Sequence, residues 1–227
     1  MKKNKLSNIN INEMSVNSSI DSKERQKKFL RITICCGIVF ILSATIFSPS
    51  LNNGFINWDD EHYVVNNSHI KGLTLRNIVK VFSTIYVSNY QPLTMLSYML
   101  DYHFFKLNPM GYHATNLLIH IANSLLVFIL IYSLTGKILT SLLGALLFAI
   151  HPLRVGSVAW VAERKDVLSA FFLLSFNISL YTALKAVKSE MVLSWHRFLC
   201  VLFVMQAYGG KPAFYFASCA VFIERKT

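Results

Sequence analysis

The run from Phe29 to Phe47, FLRITICCGIVFILSATIF, carries a single charge, Arg31. As a helix it would extend about 28 Å, close to the hydrocarbon thickness of a bilayer. A second run, Ala114 to Leu134, ATNLLIHIANSLLVFILIYSL, has no charged residue at all. Soluble domains intersperse polar residues and carry about a quarter charged ones. This chain of 227 residues is 15% charged and 54% hydrophobic, with a mean hydropathy of +0.45. Apolar blocks in such a chain specify an all-α, polytopic integral membrane protein of about five transmembrane helices.

The blocks divide the chain. Residues 1–28, rich in Asn, Ser and Lys, form a disordered basic tail, and the membrane domain fills 29–227. The first span covers 29–48 and reads as an uncleaved signal anchor rather than a cleaved signal peptide, whose basic region would be shorter. Further spans fall at about 114–134, 138–162, 167–184 and 198–223. The third needs its full length, because Ile138 to Ile150 alone gives only about 20 Å, and a kink is expected at Pro152. Between the first two spans lies a long loop, 49–113, with two amphipathic helices. In one, Leu75, Ile78, Val79 and Phe82 share a face behind Thr74 as N-cap. In the other, Pro92 opens a helix striped by Leu93, Leu96, Leu100 and Phe104. Both are too polar to span comfortably and suit an interfacial position.

Eight of the 22 Lys and Arg precede residue 32, which explains much of the net charge of +11. A basic tail before an apolar span sets orientation and argues against a nucleic-acid partner. It keeps the N-terminus cytoplasmic in a multi-pass protein of a bacterial inner membrane or equivalent bilayer. The 49–113 loop and the segment 163–166 then fall together on the extracytoplasmic side. The four cysteines (Cys35, Cys36, Cys200, Cys219) sit in apolar runs without metal-ligand spacing and read as small hydrophobes.

Two motifs could carry chemistry. In INWDDEHYV, Asp59 and Asp60 stand beside Glu61 and His62. Adjacent acids in a low-dielectric cleft cannot both ionise freely, so one acquires a raised pKa suited to a general base, unless a metal neutralises the pair. A hydrated turn explains the same residues equally well. In HPLRVGSVAWVAERKD, His151, Arg154, Glu163, Arg164, Lys165 and Asp166 flank an apolar stretch. Ionisable groups at a span are costly and are usually paired or functional. The cations Arg154, Arg164 and Lys165, with Lys211 further on, suit a phosphate group, or they mark the membrane boundary. His113, Asn116 and His120 lie in or at the second span, and His120 with Asn123 fits helix–helix hydrogen bonding better than ligation.

The ordered series WDDEHYVVNN, YQPLTMLSYMLDYHFFKLNPMGYHATNLLIHIANSLL, ALLFAIHPLRVGSVAWVAERKDVLSAFF and GGKP resembles the N-terminal membrane part of the type C glycosyltransferases with tetratricopeptide repeats, a family that includes the transmembrane O-mannosyltransferases. The resemblance covers about residues 32–222. It implies transfer of a sugar from a polyprenyl-phosphate carrier to the hydroxyl of an acceptor protein or glycan, at the extracytoplasmic face and among membrane lipids. It places the catalytic carboxylate at Asp59 or Asp60 and implies a second charged cluster in the next extracytoplasmic loop. The bottom-up roles agree with it: Arg154, Arg164, Lys165 and Lys211 would hold the donor phosphate. Glu61, His62, His151, Glu163 and Asp166 would support them. No cofactor is called for beyond an optional divalent metal. Where such proteins read HPLHVESVAWVAERKD, this chain has Arg154 and Gly156. The early end and Gly156 favour an alternative, a truncated non-catalytic membrane protein that keeps the fold and binds a lipid-linked sugar or a partner. A transporter ranks lower, because the acids sit in a loop rather than facing one another across spans.

Overall fold

The computed structural model describes residues 2–87 and 89–185. The expected fifth span, 198–223, and Lys211 lie outside the described residues. The chain divides into two compact units, residues 1–38 and 39–227. Helix α1 (Lys2–Phe47) makes up the described part of the first and ends in the second. It starts well before the first apolar run, so the stretch expected as a disordered tail is helical here. Elongating a formed helix needs no new nucleus, which lets a polar segment follow an apolar one.

The second unit is all-α among the described residues, and an isolated Tyr86–Asn89 bridge is their one β pairing. A 3₁₀ turn at Ser48–Asn52 follows α1, and a π-helical turn at Glu61–Val65 holds the acidic motif. Next come α2 (Leu75–Ser83), α3 (Pro92–Phe105), α4 (Pro109–Thr135), α5 (Ile138–Ile150), α6 (Arg154–Ala159) and α7 (Arg164–Lys185), with a 3₁₀ turn at Val161–Glu163 before the last. The expected signals start α2 and α3: Thr74 accepts the Asn77 N–H at 3.3 Å, and Pro92 is the first residue of α3. Asn108 caps α4 through the Met110 N–H, and Gly136, at φ 67°, closes it in the left-handed conformation that costs glycine least.

The helices α1 and α4 contain segments long and apolar enough to cross a membrane, and α5 is a shorter apolar helix. The expected kinked span over 138–162 is instead a broken one. His151 is extended, as a residue before proline tends to be, and Pro152 has no N–H to continue the ladder. The chain breaks again at Trp160.

Each break frees backbone carbonyls, which need donors if they are to be buried. A polar row on α4 supplies them. His120 Nε2 lies 2.9 Å from the Ala149 carbonyl at the end of α5. Asn116 Nδ2 donates to the carbonyls of Val158 (3.4 Å) and Trp160 (3.0 Å) around the end of α6. Asn123 Nδ2 donates to Val167 in α7 at 2.7 Å. Spaced by three or four residues, these side chains share one face of α4. The expectation that His120 and Asn123 join helices is met, and their partners are backbone groups.

The apolar faces of the first loop pack together over the Val161–Glu163 turn. Tyr98, Met95 and Met99 from α3, Val81 from α2, and Tyr63 and Val64 from the acidic turn form one buried cluster with Val161 and Ala162. The Tyr98 hydroxyl donates to the Val161 carbonyl at 2.8 Å. In both loop helices the face that packs on this cluster is offset from the apolar stripe. Ile78 packs partly against the cluster, while Leu75, Val79, Leu100 and Phe104 stay open.

Candidate functional site

The adjacent acids at 59 and 60 have different surroundings. Asp60 is fully buried. Its Oδ2 accepts the Ile56 N–H at 2.9 Å, within the turn, and its Oδ1 accepts the Ala162 N–H at 2.8 Å, from a segment 102 residues away. Burial pushes its carboxyl above the usual carboxylate range. The Ile56 and Ala162 N–H groups, His113 and the Trp160 indole act in the opposite direction. Asp59 is half-buried, and no hydrogen bond or ion pair engages its carboxylate among the described residues. Within the pair, Asp60 is the knot and Asp59 is the acid left open.

The two motifs therefore meet, with Asp60 as the tie. Around them, Glu61 is half-buried, and Asn57, with its amide nitrogen turned toward it, donates to both carboxylate oxygens at 2.9 and 3.0 Å. His62 is exposed and offers its carbonyl to the Tyr86 hydroxyl at 2.9 Å. Glu163 and Lys165 form a partly buried pair at 3.0 Å. Burial alone would lower the Lys165 pKa; the nearby Glu163, Asp166 and Tyr63 outweigh it and raise the value. Asp166 is exposed as a residue, and partial desolvation of its carboxyl group with the nearby Glu163 charge raises its pKa, against the opposing pull of Lys165. His151 and Arg154 belong to the break. The His151 Nδ1 accepts the Leu153 N–H at 3.2 Å, and the Arg154 guanidinium lies 4.3 Å from the Phe148 ring centroid.

Arg164 departs from its expected role. The side chain is fully buried, and protein groups take its guanidinium. Nε donates to Asn116 Oδ1 at 2.7 Å, one terminal nitrogen to the Tyr112 carbonyl at 2.8 Å, and the other to Ser97 Oγ at 3.3 Å. That other nitrogen lies 2.5 Å from Asp101 Oδ2, off the hydrogen-bonding line, as an ion pair. The plane also stacks over Tyr98, 4.6 Å from its centroid. So held, Arg164 ties α3, α4 and α7 together and is not presented to an outside phosphate. Of the four expected phosphate cations, Arg154 and Lys165 remain partly accessible.

Asp101 is the residue that motif reasoning passed over. It accepts the Thr115 hydroxyl at 2.8 Å and neutralises Arg164; burial raises its pKa, and both partners oppose the rise. The signal was present in the sequence, since Asp101 is the one acid between Glu61 and Glu163. His113 is buried with both ring nitrogens unpaired, and Trp160 Nε1 is likewise buried without a partner. Both lie near enough to Asp60 to act on its charge. Because Asp60 is fully buried with an N–H on each oxygen, Asp59 is the member of the pair with access to an outside cation. Among the described residues no three His, Cys, Asp or Glu gather to hold one.

A broken apolar bundle that clasps an acidic turn against a charged one defines the class, a membrane protein with a polar site on a helical scaffold. Its relatives are more specific. The chain is similar to protein O-mannosyl-transferase TMTC4 of Mus musculus, 33% identical over 162 residues covering 61% of this chain and 22% of that one. It is similar to protein O-mannosyl-transferase TMTC3 of Mus musculus, 27% identical over 194 residues, 82% of this chain and 20% of that one. It is also similar to protein O-mannosyl-transferase Tmtc1 of Drosophila melanogaster, 29% identical over 143 residues, 60% of this chain and 16% of that one. No family model and no solved structure matches the chain. The family resemblance expected from the motifs is thus shown, and the chain spans about a fifth of the length of the relatives it matches.

Proposed function

We propose that this chain is membrane machinery for O-mannosyl-type glycosyl transfer, using a polyprenyl-phosphate sugar as donor and a protein or glycan hydroxyl as acceptor. The reading puts the N-terminus in the cytoplasm, several spans in the bilayer, and the acidic turn on the extracytoplasmic side. The observation that supports it is the Asp60–Ala162 hydrogen bond, which ties the turn bearing Asp59 to the segment that leads into Glu163 and Lys165. In the proposed reaction Asp59 takes the acceptor proton as the hydroxyl oxygen attacks the sugar C1. The C1–O bond to phosphate breaks, and the phosphate leaves with the electron pair. Lys165, with Arg154, offsets the charge that develops on it. Asp60 holds the turn. Glu61 and Glu163 fix their neighbours, and Lys211 stays a candidate cation outside the described residues.

The test is transfer of a labelled mannosyl group from polyprenyl phosphate to an acceptor peptide by the chain in nanodiscs. Asp59→Asn should reduce transfer by roughly 10²–10⁴-fold, the range for a lost general base, without changing the unfolding temperature. Unchanged turnover in that variant would remove Asp59 from the chemistry. A second reading, a non-catalytic membrane protein that binds the lipid-linked sugar, is favoured by Gly156, the position where the resembling proteins carry a carboxylate. Saturable donor binding with no turnover by the unmutated chain would select it.

A further inference from the structure

Helix α2 turns apolar surface away from the protein. Ile78 and Val81 face the buried cluster, whereas Leu75, Val79 and Phe82 recur at steps of four and three and are 78%, 58% and 36% exposed. The stripe runs about 10 Å along the helix axis. Arg76 and Lys80 flank it on the side away from the core, with Lys71 just ahead of the helix. All three cations are exposed, and none is in an ion pair among the described residues. From His62 to Leu100 there is no acidic residue at all. A short helix that shows water both an apolar stripe and unopposed positive charge has the composition of an interfacial helix.

We propose that this face of α2 docks on the bilayer surface, with Leu75, Val79 and Phe82 below the headgroups and Lys71, Arg76 and Lys80 held by anionic phospholipids. Charge complementarity decides the occupant. A neutral surface would satisfy the stripe but give the three cations no counter-charge, and the same chain carries two helices long and apolar enough to cross a bilayer. The proposal rests on the membrane reading alone and stands whether or not the chain transfers a sugar. Its effect on function is to fix the first loop, and Asp59 with it, at a set height above the lipid.

The experiment uses the full chain in nanodiscs that contain no polyprenyl phosphate, made from phosphatidylcholine with or without phosphatidylglycerol. A cysteine introduced as Val79→Cys, with the native cysteines changed to alanine, carries an environment-sensitive dye, and nitroxide-bearing lipids report depth. Strong lipid quenching in the anionic discs is expected, falling in neutral ones. Arg76→Gln with Lys80→Gln should shift the docked-to-undocked ratio by about 25-fold, roughly fivefold per charge. Amide exchange of α2 in the unmutated chain gives the same answer without a label: slower in anionic than in neutral discs. Equal protection in both discs, or a dye open to aqueous iodide in both, overturns the proposal. So does burial of the dye only on adding an acidic soluble protein.

Discussion

Arg164 and Lys165 are neighbours in sequence with opposite surroundings, because consecutive positions on a helix differ by about 100°. Arg164 shares the inward side of α7 with buried Val167, three residues on, and that spacing is the signal that would have separated it from Lys165. Removing one member of a buried pair strands the other charge. Arg164→Ala should therefore destabilise the protein by about 3–5 kcal/mol, measured by thermal unfolding in nanodiscs. Arg164→Met combined with Asp101→Leu should cost clearly less, because it leaves no unpaired charge behind. Asp60 gives a pH test. Its native pKa is raised by burial above the ordinary value of 3.8, so the folded state holds the proton more tightly than the unfolded one. Its contribution is full below the ordinary value and is lost as pH rises through the native one. Unfolding temperature should fall over that window in the unmutated chain, and Asp60→Asn should flatten the slope. The same substitution leaves one of two buried N–H groups facing an amide N–H₂, which should cost about 1–3 kcal/mol at any pH.

At the scale of elements, the starts of α2 and α3 and the end of α4 were legible, because caps, prolines and apolar length act locally, while α4 begins five residues before the expected span. The break after α5 was not. Pro152 signals an interruption, but whether it bends a helix or ends it depends on donors elsewhere, and here Asn116, His120 and the His151 ring accommodate a full break. The apolar stripes of α2 and α3 were legible, but hydrophobic periodicity does not say which of their residues protein covers. Asn116→Leu should strip the Trp160 carbonyl and the Arg164 guanidinium of a partner together, costing more than Asn123→Leu in an unfolding assay. Glycines give a finer contrast. A Cβ at Gly111 would lie 2.2 Å from the Phe105 ring, whereas at Gly144 the nearest atom, at 2.4 Å, is the mobile tip of Ile131. Gly111→Ala should cost about 1–3 kcal/mol by overpacking, and Gly144→Ala less.

For the whole molecule, the family resemblance and the all-α class were readable because long motifs in fixed order survive divergence. The acidic and charged turns were expected on one face, and the Ala162–Asp60 hydrogen bond brings them together, although the third span of that count is broken. The division of labour between Asp59 and Asp60 was beyond the sequence, since both are aspartates in one turn and only the tertiary partner, Ala162, tells them apart. Gly156 offers a test of the proposed activity. It is exposed on α6, and nothing lies within 4 Å of where its Cβ would be. Gly156→Glu should fold at least as well, gaining up to about 0.5–1 kcal/mol of helix propensity, and should raise the transfer rate by returning a carboxylate to that turn. The Asp60–Ala162 bond also sets an order of events in time. At about 5–20 residues per second, a ribosome makes Asp60 roughly 5–20 s before it makes Ala162. Through that interval the acidic turn emerges without its latch, while α3, α4 and α5 are still being threaded into place. On the proposed reading, Asp59 therefore takes up its position only once the bundle that holds the turn has been built.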